Sequence, residues 1–182
     1  VVLNYLGRDP RSGKAEDLAA ASELLMKLRP YIRKFQSQPV TDLVNGNLCL
    51  SLGYSGDMTQ AQRTSDSAGK STRFEYRIPR EGTTVWMDTM AIPVDAKRPE
   101  YAYAFINFVM RPATMAAISN FTGYPTSNAK ARANVDASMR DNPDIYLDEA
   151  TYVRLIPGKD IPQADMRARM RTWTKFKTAT GQ

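Results

Sequence analysis

Two acidic residues in this chain each stand close to an aromatic side chain: Asp57 in Gly53-Tyr54-Ser55-Gly56-Asp57, and Asp88 in Val85-Trp86-Met87-Asp88. Acid beside aromatic, twice, is what a site for a slender organic cation needs. Carboxylates hold the positive ends through charge-assisted hydrogen bonds, and ring faces cover the methylenes between them. A third aromatic, Tyr124, lies between Gly123 and Pro125, where it could wall the same cavity. Each residue also has a plainer reading. Asp57 follows a tight turn and could cap a helix. Asp88 sits among Val85, Trp86, Met87, Met90, Ala91 and Ile92. There a buried carboxylate needs either an internal Arg or Lys or a cationic ligand. Tyr124 could simply anchor its loop on the core.

The rest of the chain sharpens this contrast by being basic. It has 182 residues, 25 Lys and Arg against 19 Asp and Glu, and a net charge of +6. Such a balance invites a nucleic-acid hypothesis. Much of the excess is local, in Arg167, Arg169, Arg171, Lys175 and Lys177. No nucleic-acid motif, phosphate-cradling glycine loop or zinc spacing accompanies it. Histidine is absent, which removes the commonest general base and zinc ligand and rules out an ordinary Ser-His-Asp triad. Cys49, the single cysteine, gives no disulfide framework or metal cluster and reads as a small buried apolar side chain. These observations argue against an enzyme and against a resident metal or cofactor. No apolar run approaches the ~20 residues of a membrane span.

The pattern of elements is α/β. Asp17 to Leu28 reads as a helix with Leu18, Ala21, Leu24, Leu25 and Leu28 on one stripe. Residues 38–46 read as a short helix with Pro at its start and Gly at its end. Leu48 to Tyr54 has the composition of a central strand, Phe74-Tyr76-Ile78 alternates like a half-buried one, and Thr84 to Ile92 reads as a third. In that third strand Trp86 and Asp88, two apart, would share a face. Asp57 to Arg63 starts a helix. Pro99 to Met110 and Pro112 to about Asn120 are helices, residues 126–147 are loop-rich, and Gln163 to Lys177 is a final basic helix. Its Met166, Met170, Trp173 and Phe176 form one face. Gly7 reads as a helix-stop glycine with no capping residue before its helix, so the chain is expected to begin inside a helix of a longer protein.

In order along the chain, Val2-Leu3-Asn4-Tyr5-Leu6-Gly7, Asp42-Leu43-Val44-Asn45-Gly46-Asn47, Gly53-Tyr54-Ser55-Gly56-Asp57, Ile78-Pro79-Arg80-Glu81-Gly82, Met90-Ala91-Ile92-Pro93 and Arg171-Thr172-Trp173-Thr174-Lys175 make a composite signature. On it, the chain resembles the C-terminal half of the periplasmic polyamine-binding proteins of bacterial ABC importers, the putrescine and spermidine receptors. The resemblance implies a type II periplasmic binding protein-like two-lobed fold, here lacking its N-terminal portion, that closes on its ligand. It implies one lobe from residues 1–62 and 118–182 and a returning segment of the other from 67–112. By resemblance Asp57 and Asp88 bind amine groups, and Tyr54, Trp86 and Tyr124 are aromatic walls. Tyr54 stands where the family often has Trp. The implied partners are a polyamine, an ABC importer permease as the sole link to a membrane, and the missing N-terminal half of the same protein, with no nucleic acid. The implied location is the periplasm. Two alternatives remain at this stage: a receptor of the same fold for another small solute, and a basic nucleic-acid-binding or scaffold domain.

Overall fold

The structure, a computed structural model, describes residues 1–179. In chain order the elements are α1 (Val2–Tyr5), α2 (Ala15–Leu28), α3 (Val40–Val44), α4 (Ser55–Ser67), β1 (Thr84–Val85), α5 (Pro99–Val109), α6 (Pro112–Thr122), α7 (Ala137–Arg140), α8 (Glu149–Tyr152), β2 (Ile156–Pro157) and α9 (Gln163–Thr178). Short 3-10 turns occupy Arg29–Tyr31 and Arg132–Asn134. Most of the expected helices form. Their ends fall at the residues that local chemistry marks: Pro begins α5 and α6 at N1, where its missing N–H costs nothing. Gly123 ends α6 at φ +81, in the left-handed region. No helix among the described residues is long and apolar enough to cross a membrane.

Two compact units emerge. Unit 1 comprises Val1–Gln36, Ile78–Trp86 and Ala150–Gln182. In it α2 packs on α1 and α9, and Leu3, Ala21 and Phe176 are buried. Phe35 meets Trp173 and Phe176 edge-on, at 5.8 and 5.3 Å between ring centroids. Arg169 on α9 donates to the carbonyls of Pro10 at 2.9 Å and Ser12 at 3.0 Å. Asp17 is buried. It tolerates burial because it accepts from the Ser12 hydroxyl and pairs with Arg8. The Ser12 and then the Arg8 hydrogen bond hold its carboxyl below the usual carboxylate range. β1 and β2 form a two-stranded parallel pair, Thr84 opposite Ile156 and Val85 opposite Pro157.

Unit 2 comprises Ser37–Arg77 and Met87–Glu149. Its core cluster is Ala116, Ala131, Val135 and Met139, with Met115, Ile145 and Tyr146 packed against it. Val44 and Ala61 are also buried, where α3 meets α4. Arg132 lies over the Tyr146 ring at 4.7 Å. These units cut the chain differently from the lobe boundaries implied by the resemblance, since residues 37–77 and 87–149 group together. The implied boundaries concern the whole two-lobed protein.

The strands depart most from expectation. Of the three expected, only Thr84–Val85 is paired among the described residues. Leu48 to Tyr54 forms no strand, with Leu50 and Leu52 exposed at 89% and 93%, and Cys49 is exposed rather than buried. The cause is physical. A helix satisfies its own backbone groups, whereas a strand depends on a neighbour to take its N–H and C=O groups and to cover its face. The final helix departs less. Phe176 is buried at 3% and Trp173 meets Phe35, but Met166 and Met170 stay exposed. On α5, no residue is buried, so Tyr101, Phe105 and Phe108 present their rings to solvent.

Candidate functional site

The N-terminus of α4 and the C-terminus of α6 meet in unit 2, and three of the five candidate residues, Tyr54, Asp57 and Tyr124, gather there. Tyr54 is the N-cap of α4. The Asp57 carboxylate folds back on it and accepts the Tyr54 backbone N–H through Oδ2 at 3.0 Å. This satisfies a donor that a helix N-terminus leaves free, and it sets a negative charge where the helix dipole favours one. Asp57 therefore does cap the helix, as its third residue reaching back to the N-cap rather than as the N-cap itself, yet this does not exhaust the group. The second oxygen, Oδ1, accepts the Tyr124 hydroxyl at 3.5 Å, the long limit for such a bond. A carboxylate has about four acceptor sites, so Asp57 retains capacity for an ammonium.

Tyr124 is placed by the end of α6. Three side chains of α4 donate to the last carbonyls of that helix region: Gln60 to Thr122 at 3.1 Å, Arg63 to Phe121 at 3.2 Å and Thr59 to Gly123 at 3.5 Å. They satisfy acceptors that a helix C-terminus leaves free, and Arg63 adds a favourable charge. The buried Ser119 hydroxyl then donates to the Tyr124 carbonyl. Tyr124 keeps 36% of its surface exposed, and the partial burial of its ring is the first cause that pushes the phenol up to about 12. The charge of Asp57 and the hydrogen bond to it come next, followed by Tyr54 and Asp88. Asp57, Tyr54 and Asp88 thus each act electrostatically on the Tyr124 phenol, all within one unit.

Asp88 is exposed, which corrects the expectation of a buried carboxylate. The run that was to bury it forms no strand beyond Val85. Without a strand, the shared face of Trp86 and Asp88 has no pleat to define it. Trp86 ends the unit 1 segment and is 54% exposed. The sequence reading missed Ser119, Thr59, Gln60 and Arg63, ordinary polar helix residues with no motif around them. It also missed a cavity of about 520 Å³ in unit 1. Arg8, Arg11 and Lys14 line that cavity together with Asp9, Asp17 and Asp165. Asp17 pairs there with Arg8 and Asp9 with Arg11, and no aromatic side chain lines the cavity to cover the methylenes of a slender organic cation. Among the described residues no cluster suited to a metal ion occurs.

Residues 3–145 match the family model described as bacterial extracellular solute-binding protein. The chain belongs to that family. The family is one of solute binders rather than enzymes. The putrescine/agmatine-binding protein of Pseudomonas aeruginosa PAO1 is 41% identical over 181 residues, covering 99% of this chain and 49% of that protein. The putrescine-binding periplasmic protein PotF of Escherichia coli K12 is 42% identical over 180 residues, 97% of this chain and 48% of its own length. A solved structure titled putative spermidine/putrescine ABC transporter from Listeria monocytogenes superimposes with a TM-score of 0.81 at 24% identity, covering 97% of this chain and 53% of its own. The fold is thus the two-lobed one implied by the resemblance, and the chain spans about half the length of the relatives it matches.

Proposed function

We propose that this chain carries part of the ligand site of an extracytoplasmic receptor that captures a linear polyamine of the putrescine or spermidine class and delivers it to an ABC permease. The observation that carries this reading is the Asp57 corner: a carboxylate oriented by Tyr54 N–H and approached by the Tyr124 hydroxyl, with Asp88 near enough to influence the same phenol. The names of the relatives at 41% and 42% identity support the choice of solute. No bond is made or broken. An ammonium end donates to Asp57, a second positive centre to Asp88, and Tyr54, Trp86 and Tyr124 cover the methylenes, as the resemblance assigns them. Each charge-assisted hydrogen bond contributes about 1.5–3 kcal/mol, and a cation over an aromatic face about 0.5–2 kcal/mol. The spacing of fixed acids then selects among amines by the spacing of their charges. In the whole protein we assign residues 1–62 and 118–182 to one lobe and 67–112 to the other, and the location to the periplasm.

Calorimetry on the full-length protein with putrescine, spermidine and a neutral amino acid tests this reading. Saturable binding of a polyamine, with no heat from the amino acid, is expected. Absence of binding by every polyamine, or equal binding of the amino acid, overturns it.

A further inference from the structure

Gly56 is the second residue of α4, is buried, and lies within the acid-aromatic motif, yet it is neither an acid nor an aromatic. Its backbone does not call for glycine: it lies in the helix, and the glycines with positive φ are Gly7, Gly46, Gly69, Gly82 and Gly123. Glycine weakens a helix relative to alanine, so its presence needs a steric reason. The reason is the Tyr124 ring. A Cβ on Gly56 would stand 2.5 Å from Cδ2 and Cζ of Tyr124, and closer still to Cε2. Ring carbons cannot yield as the tip of a flexible chain can, and Tyr124 is tied by the Ser119 hydroxyl and by its place directly after Gly123. Gly123 is held too, since a Cβ there would lie 2.8 Å from Thr59 Cβ and 3.2 Å from the Gly56 carbonyl oxygen. The other glycine of the motif makes room for the acid: a Cβ on Gly53 would come within 3.2 Å of Asp57 Oδ2.

We propose that Gly56 is a positioning residue of the polyamine site, a bare patch of helix on which the Tyr124 ring is seated so that its hydroxyl reaches Asp57. The proposal rests on the function proposed above for that site. It gives the motif a division of labour. Tyr54 and Asp57 cap the helix and present the charge, Gly53 leaves room for the carboxylate, and Gly56 fixes where the aromatic wall stands against it. A methyl group at residue 56 displaces the wall without removing any group that touches the ligand.

The test uses the full-length protein as parent, Gly56→Ala, Tyr124→Ala and the double variant, with putrescine as the probe in calorimetry. Gly56→Ala is expected to weaken binding about tenfold in the parent and to cost almost nothing in the Tyr124→Ala background, because the group it displaces is gone. A second readout needs no ligand. With 3-fluorotyrosine incorporated, the Tyr124 ¹⁹F resonance, assigned by its loss in Tyr124→Phe, is expected to shift in Gly56→Ala and to titrate at lower pH than in the parent. An equal cost of Gly56→Ala in both backgrounds, or an unmoved Tyr124 resonance, overturns the proposal. If Gly56→Ala alone does not fold, a folded double variant supports the seat and an unfolded one overturns it. If the parent binds neither putrescine nor spermidine, the function reading falls, while the resonance still decides the role of Gly56.

Discussion

The two acid-aromatic pairs, so alike in sequence, are built differently. Tyr54 and Asp57 stand at the start of a 13-residue helix, tied by the Asp57 bond back to the Tyr54 N–H and by the Tyr124 hydroxyl just past the end of α6. Trp86 and Asp88 follow a two-residue strand, beyond which the run to Ile92 forms no further strand and both side chains are exposed. One pair is held by helix ends, which bring their own unsatisfied donors and acceptors to be capped. The other depends on strand partners, which local sequence cannot supply. Two functional groups can therefore have the same chemistry and very different degrees of preorganisation.

Replacing Asp57 should give the largest effect, since it removes a ligand acceptor and a cap together. Asp57→Ala is expected to lower putrescine affinity about 100-fold, from the loss of a charge-assisted bond of up to about 3 kcal/mol. It should also destabilise the fold by about 1 kcal/mol in urea unfolding. Asp57→Asn separates the roles: an oxygen remains for Tyr54 N–H, so stability should stay near the parent's while affinity still falls. Equal stability loss in Asp57→Ala and Asp57→Asn would show that charge rather than capping stabilises α4.

Asp88→Ala comes next. It should weaken putrescine binding by about tenfold or more and leave the unfolding midpoint unchanged, because the side chain is exposed. A lowered midpoint would mean that Asp88 is a structural group and that the contrast between the pairs fails.

A smaller effect concerns alkaline stability. The Tyr124 phenol is pushed up to about 12, above the value near 10 of an unfolded tyrosine. Its contribution is present in full below about pH 10 and is lost as pH rises through about 12. Urea unfolding across that window should show the parent losing more stability than Tyr124→Phe. Parallel losses in the two would show that neither burial nor the neighbouring Asp57 raises the Tyr124 phenol in the folded protein.

How legible the molecule was in its sequence follows the same division. Gly7, Gly46, Pro99 and Pro112 marked helix ends correctly because helix termini are local events. α4 proved longer than Asp57 to Arg63, running from Ser55 to Ser67, since polar residues such as Thr64 and Asp66 carry little apolar periodicity. Leu48 to Tyr54 and Thr84 to Ile92 have strand composition, but pairing is a property of the neighbours. Hence Asp88 was expected buried and is exposed. The acid-aromatic proximity at Asp57 was visible, whereas the Ser119 and Gly56 supports around Tyr124 became apparent only when α6 was seen against α4.

Calorimetric titration of putrescine into the full-length protein and its Asp57→Asn variant tests the central claim most directly. Saturable binding by the parent, weakened about tenfold or more in a variant of unchanged stability, is the expected result, in line with the worth of one charge-assisted hydrogen bond. Equal affinity in parent and variant would contradict it, since the Asp57 carboxylate would then be a helix cap and nothing more.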